Sequence, residues 1–234
     1  MTDFHTHVLP GMDDGSRSAG ESAEMLGMLR AQGVTRLIAS PHYYRQRETI
    51  PEFTERRGHS AEKLAGEAGA APPPCMVLGA EAAFFADMSK EPGLRRLCIG
   101  GTDMLLLEMP FAPWPAAVVN EVYQIVSSRG ITPVIAHVER YMEHKRNLEA
   151  LDRLISFGVV IQSNAEFFLE RGTRRRAFGM LAAGRIHVFG SDCHDTHDRP
   201  PNMGALAALL KKKLPPGRLE ALQAAEDGLF AGQG

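Results

Sequence analysis

The first residues able to do chemistry are two histidines one residue apart, His5 and His7, which follow a short apolar start and precede the sequence VLPGMDDG. Residues i and i+2 of an extended strand point to the same side, so the two imidazoles would share one face. Neutral imidazole is the commonest side-chain metal ligand. The pair therefore indicates half of a metal site, and two polar residues at a strand end remain an equally good structural explanation of the pair taken alone.

The elements that would position these groups are predicted from the hydrophobic pattern. Apolar, β-branched runs alternate with helical patterns along the chain, which is typical of a parallel sheet covered by helices. The predicted α/β fold has seven such units, one short of the familiar eight-fold barrel. The predicted strands lie at 2–6, 34–40, 75–80, 104–109, 132–137, 159–163 and 186–191. The predicted helices lie at 18–32, 52–68, 115–129, 147–157, 174–183, 203–213 and 216–230.

Other histidines and carboxylates follow the predicted strands further along the chain. In parallel α/β folds the loops after the carboxyl ends of the strands converge on one face, where sites are built. Any one of these residues alone would more often be a surface charge or a core histidine with satisfied hydrogen bonds. Their recurrence at six strand ends, counting the first pair, favours one common site. The residues concerned are His42, Glu81, Glu108, His137, Asp192 and His194.

The donor set predicts a cluster of divalent metal ions. Imidazole and carboxylate without thiolate suit Mn²⁺, Fe²⁺ or Zn²⁺ better than Mg²⁺ or copper. The ligands outnumber those that one tetrahedral ion can use, which indicates two or three ions. A cluster of this kind activates water and binds substrate oxygens. The predicted activity is hydrolysis, with phosphate esters as the substrates that most need several cations.

Two arginines stand just beyond presumed ligands, Arg140 after His137 and Arg199 after His194. The guanidinium group is a fixed fork of donors that matches pairs of phosphate oxygens. A surface salt bridge is the alternative for each arginine alone. Because both stand beside presumed ligands, phosphate recognition is the favoured role.

Composition excludes several classes of protein. The chain has 234 residues, 44% of them hydrophobic, with a formal net charge of −2, so one sizeable core in a single domain over 1–234 is expected. This charge gives no indication of the basic surface that a nucleic-acid-binding protein needs. No apolar run is long enough for a membrane span, and no secretory signal is recognisable. The three cysteines have no CxxC spacing and are predicted to be reduced thiols in a cytoplasmic protein.

Cys193 and Arg199 have the spacing of cysteine-dependent tyrosine phosphatases, with five residues between them. Those enzymes need a loop of small residues whose amides cradle phosphate around a thiolate of low pKa. Here the intervening residues, HDTHD, include no glycine and two carboxylates. A thiol mechanism is therefore disfavoured.

The motifs together resemble the polymerase-and-histidinol-phosphatase (PHP) superfamily. More closely, they are similar to the bacterial PHP-type protein-tyrosine phosphatases encoded with capsule and exopolysaccharide genes. The DDG after the HxH and the Arg-Pro-Pro after the DxH distinguish this branch. The matching segments are FHTHVLPGMDDGS at 4–16, SPHYY at 40–44, GAE at 79–81, LLEMP at 106–110, HVERY at 137–141 and SDCHDTHDRPPNM at 191–203.

The resemblance implies a distorted (β/α)7 TIM-like barrel, the PHP domain, holding three divalent ions, with manganese expected first and iron or zinc as alternatives. Arg140 and Arg199 match the arginines that the family uses on the phosphoryl group. Asp14 is the least secure ligand, because its neighbour Asp13 could take its place. The ligand sets implied are His5, His7, Glu81 and Asp192 for the first ion, Glu81, Glu108 and His137 for the second, and Asp14, His42 and His194 for the third.

The resemblance also implies the substrate. It is a phosphotyrosine-containing protein, expected to be a bacterial tyrosine kinase whose tyrosine-rich tail controls polysaccharide synthesis. Tyr43 and Tyr44 follow His42 where the family varies and are candidates to shape the substrate groove. Two other functions stay open at this point: a small-molecule phosphomonoesterase resembling histidinol phosphatase, and a metal-bound scaffold without catalysis.

Overall fold

A computed structural model describes residues 1–67 and 74–231. The strands in these residues are β1 (Thr2–Thr6), β2 (Arg36–Ala39), β3 (His42–Tyr43), β4 (Cys75–Leu78), β5 (Glu81–Ala83), β6 (Met104–Glu108), β7 (Thr132–Ile135), β8 (Val160–Asn164) and β9 (Val188–Gly190). All pairs of these strands are parallel, and the strands form two sheets with the orders β1-β2-β4 and β3-β5-β6-β7-β8-β9. The mixed α/β class with parallel strands is therefore confirmed.

The helices alternate with these strands and cover the sheets. The first helix begins after Ser18, whose hydroxyl accepts a hydrogen bond from the Glu21 amide at 3.2 Å and caps the helix. Residue 68, the last of the predicted helix 52–68, lies outside the described residues. The helices are α1 (Ala19–Ala31), α2 (Ile50–Glu67), α3 (Ala116–Arg129), α4 (Lys145–Ser156), α5 (Ala165–Leu169), α6 (Arg174–Ala182), α7 (Met203–Lys213) and α8 (Arg218–Ala231).

Two predicted strands differ from the observed ones, because each is followed by a short further strand that the pattern did not show. Pro41 has no amide hydrogen to donate, so the pattern ends the second strand before it. The hydrogen-bond ladder nevertheless continues past this point. The Gly79 amide donates to Ala39 O at 2.9 Å, and the Glu81 amide donates to Pro41 O at 3.0 Å. The continuation places Glu81 directly opposite His42 in the β3–β5 pair.

The segment after β9 lies along β1 and brings the last part of the chain to the first. The Asp192 amide donates to His5 O at 2.8 Å, and the His7 amide donates to Cys193 O at 2.9 Å. A side chain at Gly190 would not fit, because an added Cβ would lie 2.6 Å from His5 Cβ. The close approach of β9 to β1 thus requires glycine at this position.

A small apolar cluster takes one side chain from most strands, including Phe4 of β1, Ile38 of β2 and Val188 of β9. Phe230 of α8 packs on Phe4 with ring centroids 5.6 Å apart, and the Arg36 guanidinium lies 4.4 Å from the Phe230 centroid. Helix α8 therefore covers the amino ends of the strands and leaves the carboxyl ends open. No helix among the described residues is both long and apolar enough to cross a membrane.

Candidate metal centre

All nine predicted ligands lie together at the carboxyl ends of the strands. Four belong to strands, and the remainder lie on the loops that directly follow strands. Seven of them fall into three groups whose ligand atoms lie within 4.8 Å of one another. These groups are His7, Asp14, His42 and His194, then His5, His7 and Glu81, and finally His42, Glu81 and Glu108.

Glu81 is the centre of the cluster, and it is 1% exposed. Its Oε2 atom lies 3.0 Å from His5 Nε2, 3.4 Å from His7 Nε2 and 3.0 Å from His42 Nδ1. Its Oε1 atom accepts from His137 Nε2 at 2.8 Å. Burial alone would raise the pKa of Glu81, but the surrounding imidazoles, His5 first, hold it well below its usual value. The carboxylate is therefore ionised and faces four imidazoles.

His137 and Asp192, which lie outside the three groups, contact the same carboxylates and imidazoles. His137 Nε2 lies 3.5 Å from Glu108 Oε1, and Asp192 Oδ1 lies 3.3 Å from His7 Nε2. Burial lowers the pKa of His137, but Glu108 and Glu81 outweigh it and raise that pKa to about 9. The structure thus brings together every ligand that the sequence predicted.

Three histidines are fixed through one ring nitrogen so that the other faces the cluster. His7 Nδ1 lies 2.7 Å from an Asp13 carboxylate oxygen, and His5 Nδ1 lies 3.3 Å from Gln162 Oε1. His194 Nδ1 lies 2.9 Å from the backbone oxygen of Asp192. In each case Nδ1–H donates and Nε2 keeps its lone pair, as metal-binding histidines commonly do.

The packing of polar atoms in the cluster fits metal ions better than hydrogen bonds. Glu81 Oε2 and His42 Nδ1 are close, yet both are buried without a partner of hydrogen-bond geometry. His194 Nε2 is likewise buried without a partner. Buried polar atoms are rarely left unsatisfied in proteins. Lone pairs that converge without bonding one another suit shared cations, and the imidazole and carboxylate set suits Mn²⁺, Fe²⁺ or Zn²⁺.

Two ligands have strained backbones. His137 has φ of 31° and Asp192 has φ of 54°, and among the described residues Asp87 is the other non-glycine residue with positive φ. Such conformations cost on the order of 1–3 kcal/mol each and persist where the surroundings enforce them. Their position on two ligands indicates a site held by the fold rather than formed by chance.

The structure separates the roles of Asp13 and Asp14. Asp13 accepts from His7 Nδ1 and from the His42 amide, at 2.7 and 2.8 Å, so its oxygens are used in holding the loop. Asp14 Oδ1 lies 3.6 Å from both His42 Nε2 and His194 Nε2, and its side chain is 67% exposed. Asp14 Oδ1 therefore faces the predicted cluster, and Asp13 is the group that orients His7.

Asp14→Ala is expected to remove one ion per chain while the fold is kept, because this exposed carboxylate belongs to one group alone of the three, where it lies 3.6 Å from His42 and His194. Asp13→Ala is expected to weaken metal binding generally, by about 10–100-fold, because it releases the orientation of His7. The check is the metal-to-protein ratio and the thermal midpoint of each variant. Full metal content in Asp14→Ala with loss of one ion in Asp13→Ala would exchange the two roles.

Both predicted arginines reach the edge of the cluster through Asp192. Arg140 Nη2 and Arg199 Nη2 donate to the same oxygen, Asp192 Oδ2, at 2.6 and 2.8 Å. Their side chains are 39% and 40% exposed, so the guanidinium groups remain accessible from solvent. Both line a cavity of about 130 Å³ together with Asn164 and Asn202. The lining thus combines guanidinium and amide donors with carboxylates, among them Glu166 and Asp198.

Polar residues of β8 that support the predicted ligands were not predicted from the sequence. Gln162 Oε1 accepts from the His137 amide at 2.6 Å, and Gln162 Nε2 donates to Asn164 Oδ1 at 2.9 Å. Asn164 in turn donates to Asp192 Oδ2 at 2.9 Å. A signal was present in the run Gln162-Ser163-Asn164, since amides and hydroxyls inside a buried strand need partners.

Cys193 is fully buried, and burial raises the pKa of its thiol far above the ordinary value. A nucleophilic thiol needs a lowered pKa and access to substrate. The geometry therefore agrees with the sequence in disfavouring a cysteine mechanism.

A family model of capsular polysaccharide synthesis proteins, CpsB/CapC, matches residues 1–226 of the chain. The chain belongs to the CpsB/CapC family. This confirms the resemblance drawn from the motifs. Among its relatives, the tyrosine-protein phosphatase YwqE of Bacillus subtilis is 31% identical over 215 residues, covering 85% of this chain and 79% of that protein. The tyrosine-protein phosphatase CpsB of Streptococcus pneumoniae is 28% identical over 227 residues, covering 91% and 90%.

Solved structures show the same fold. One belongs to the crystal structures of two metal-dependent tyrosine phosphatases, YwqE from Bacillus subtilis and CpsB from Streptococcus pneumoniae. It has a TM-score of 0.85 at 24% identity, and the match covers 100% of this chain and 96% of that one. A phosphotriesterase homology protein from Escherichia coli, complexed with phosphate in its active site, has a TM-score of 0.53 at 12% identity and covers 98% of both chains. At these identities the similarity bears on the fold alone.

Proposed function

We propose that this member of the CpsB/CapC family is a metal-dependent protein-tyrosine phosphatase. The observation that carries the proposal is the cluster around Glu81, which joins three groups of metal-binding side chains and meets two accessible arginines at Asp192. Such a combination suits a phosphate monoester, whose charge needs several cations. The named relatives, which are tyrosine phosphatases, supply the substrate class.

The proposed cofactor is a set of three divalent ions, with manganese first and iron or zinc as alternatives. When bound, these ions would act as Lewis acids toward the phosphoryl group and would lower the pKa of the water molecule that attacks phosphorus. Asp14, in the group with His42 and His194, and Glu81, which the other two groups share, are the proposed ligands most open to a direct test. The full set proposed is His5, His7, Asp14, His42, Glu81, Glu108, His137, Asp192 and His194.

The residues of the chain would bind and neutralise the phosphoryl group. Arg140 and Arg199 would give up part of their hydrogen bonding to Asp192 and donate to phosphoryl oxygens instead. These donors would stabilise the negative charge that develops there. The leaving phenol has an ordinary pKa of about 10, far below that of an alkyl alcohol, so it needs little proton assistance. Aryl phosphates are therefore the preferred chemical class.

The proposed physiological substrate is a phosphotyrosine-containing protein, specifically a bacterial tyrosine kinase with a tyrosine-rich tail that regulates capsular or exopolysaccharide synthesis. We place the enzyme in the cytoplasm, since Cys75, Cys98 and Cys193 are all free thiols. We also propose one domain over 1–234, in which β2 with β3 and β4 with β5 count as single interrupted strands of a distorted (β/α)7 barrel.

The test is hydrolysis of a phosphotyrosyl peptide after chelation and after re-addition of Mn²⁺, Fe²⁺, Zn²⁺ or Mg²⁺. We expect turnover to fall to background on chelation, because the ions held by the buried cluster would supply the positive charge at the phosphorus. We expect it to return best with Mn²⁺. Histidinol phosphate and single-stranded DNA, assayed alongside, should be poor substrates.

Cys193→Ser is the matched control, and it should keep most of the activity because the buried thiol takes no part. Activity that survives complete metal removal would contradict the proposal. Tight metal binding without hydrolysis of any phosphomonoester would instead favour a scaffold.

A further inference from the structure

Phe111 is the most exposed of the large apolar side chains described, at 59%. Its ring lies on that of the proposed ligand His137, with centroids 5.9 Å apart and planes inclined by 19°. A single exposed aromatic is ordinary on a protein surface. This one is unusual in its place, since it stands directly on a side chain of the metal centre and leaves its outer face to solvent.

The loop that carries Phe111 is held in position rather than loose. Trp114 donates from its amide to the buried Asn147 Oδ1 at 2.8 Å and from its indole to Pro110 O at 3.1 Å. Asn147 Nδ2 also donates to Ala112 O at 3.2 Å. Three of the residues from 110 to 115 are prolines, which restrict the backbone further. The exposure of Phe111 is therefore fixed by the fold.

Tyr44 makes a similar arrangement on another side of the centre. Its ring stacks on His42, with centroids 5.2 Å apart and planes inclined by 28°. The Arg47 guanidinium lies 4.5 Å from the Tyr44 centroid and steadies it. His42 and His137 contact the two different oxygens of Glu81, at 3.0 and 2.8 Å. The two aromatic rings thus flank the carboxylate at the centre of the cluster.

We propose that Phe111 and Tyr44 form an aromatic site for the phenyl ring of phosphotyrosine and thereby select aryl over alkyl phosphomonoesters. This inference rests on the proposed phosphatase function and adds its determinant of substrate class. In phosphotyrosine one oxygen joins the ring to phosphorus, so the ring must lie immediately beside the metal centre. Aromatic rings attract one another at centroid distances of about 4.5–7 Å.

The edge of the centre at Asp192 does not suit a phenyl ring, because the cavity there is lined mostly by charged and amide side chains. Three of these are carboxylates, and the guanidinium groups of Arg140 and Arg199 are the ones that match a phosphoryl anion. With the anion at the arginines, the apolar part of the substrate would meet the exposed ring of Phe111 and the ring of Tyr44.

The test uses phosphonates, which are not hydrolysed, so that the acidity of the leaving group plays no part. The inhibition constants of benzylphosphonate and propylphosphonate are measured against phosphotyrosyl-peptide hydrolysis by the manganese-loaded enzyme. For Phe111→Ala we expect benzylphosphonate to bind roughly tenfold more weakly, with propylphosphonate little changed and KM raised more than kcat falls. Tyr44→Ala should act in the same direction, and Phe111→Tyr and Tyr44→Phe should restore binding.

Phe157→Ala is the matched control, because Phe157 is an aromatic side chain 44% exposed whose ring partner is Tyr123 on α3. Metal content is measured for every variant. Equal weakening of both phosphonates, or metal loss in Phe111→Leu as well as Phe111→Ala, would show that Phe111 only supports His137 and would overturn the inference. Unchanged benzylphosphonate binding would overturn it too. A wild-type enzyme that hydrolyses no phosphotyrosine would instead refute the proposed function.

Discussion

Replacement of Glu81 by glutamine is expected to reduce phosphotyrosine turnover by on the order of 10³-fold or more, the largest effect of any single substitution. Glu81 has an oxygen within 3.0 Å of His5 and His42 and another 2.8 Å from His137. As the proposed ligand of two ions, this carboxylate would hold both and screen them from each other. The amide keeps the size of the side chain but has neither the charge nor a second acceptor oxygen, so metal content should fall together with activity.

The measurement is metal per chain by elemental analysis, with kcat/KM on a phosphotyrosyl peptide. Glu166→Gln is the matched control, because Glu166 is an exposed carboxylate that lines the cavity beside Asp192 and is not one of the predicted ligands. That variant should keep its full metal content. Full occupancy and near-normal rates in Glu81→Gln would show that Glu81 is not the bridging ligand.

Arg199→Ala is expected to lower turnover by on the order of 10²-fold, the scale of losing one charge-stabilising group, while metal content is kept. Asp192 Oδ2 loses one of three donors in this variant but retains Arg140 at 2.6 Å and Asn164 at 2.9 Å. The ligand should therefore stay in place. Arg140→Ala should have a similar effect on kcat if Arg140 meets the transferring group, and should mainly raise KM if it only grips the substrate.

Separate measurement of kcat, KM and bound metal decides between these roles. Arg199→Lys keeps the charge without the fork of donors and should recover only part of the rate. Arg185→Ala is the control, since this exposed arginine pairs with Asp152 on the surface. Loss of metal in Arg199→Ala, or hydrolysis at the parental rate, would mean that Arg199 has a structural role or none.

The sequence by itself determined the fold class, the types of ligand and their approximate placement. Seven strands were predicted near their observed positions because hydrophobic periodicity is a local property of the chain. The predicted ligands could be placed together because histidine and carboxylate after a parallel strand must lie at one end of the sheet. His5 could thus be assigned to one site with His137 and Asp192, which both lie more than a hundred positions further along the chain.

Tertiary structure decided which neighbour of a pair faces the site. Asp13 and Asp14 are chemically identical in the sequence, and only the fold of their loop turns Asp13 toward His7. This loop also needs glycine at position 15, since an added Cβ there would clash with His7 Cβ at 2.5 Å. Such a choice depends on backbone direction over a few residues, which composition and spacing do not specify.

Tertiary structure also decided how the site is supported and what surrounds it. Gln162 and Asn164 carry no ligand signature, and their partners His5 and Asp192 come from distant strands. The strand after Pro41 was not predicted because it is defined by its pairing with β5, and that pairing does not show in the sequence of the strand itself. The exposure of Phe111 likewise follows from hydrogen bonds between its loop and α4. Contacts between segments far apart in the chain are set by packing, and packing is known only once the chain has folded.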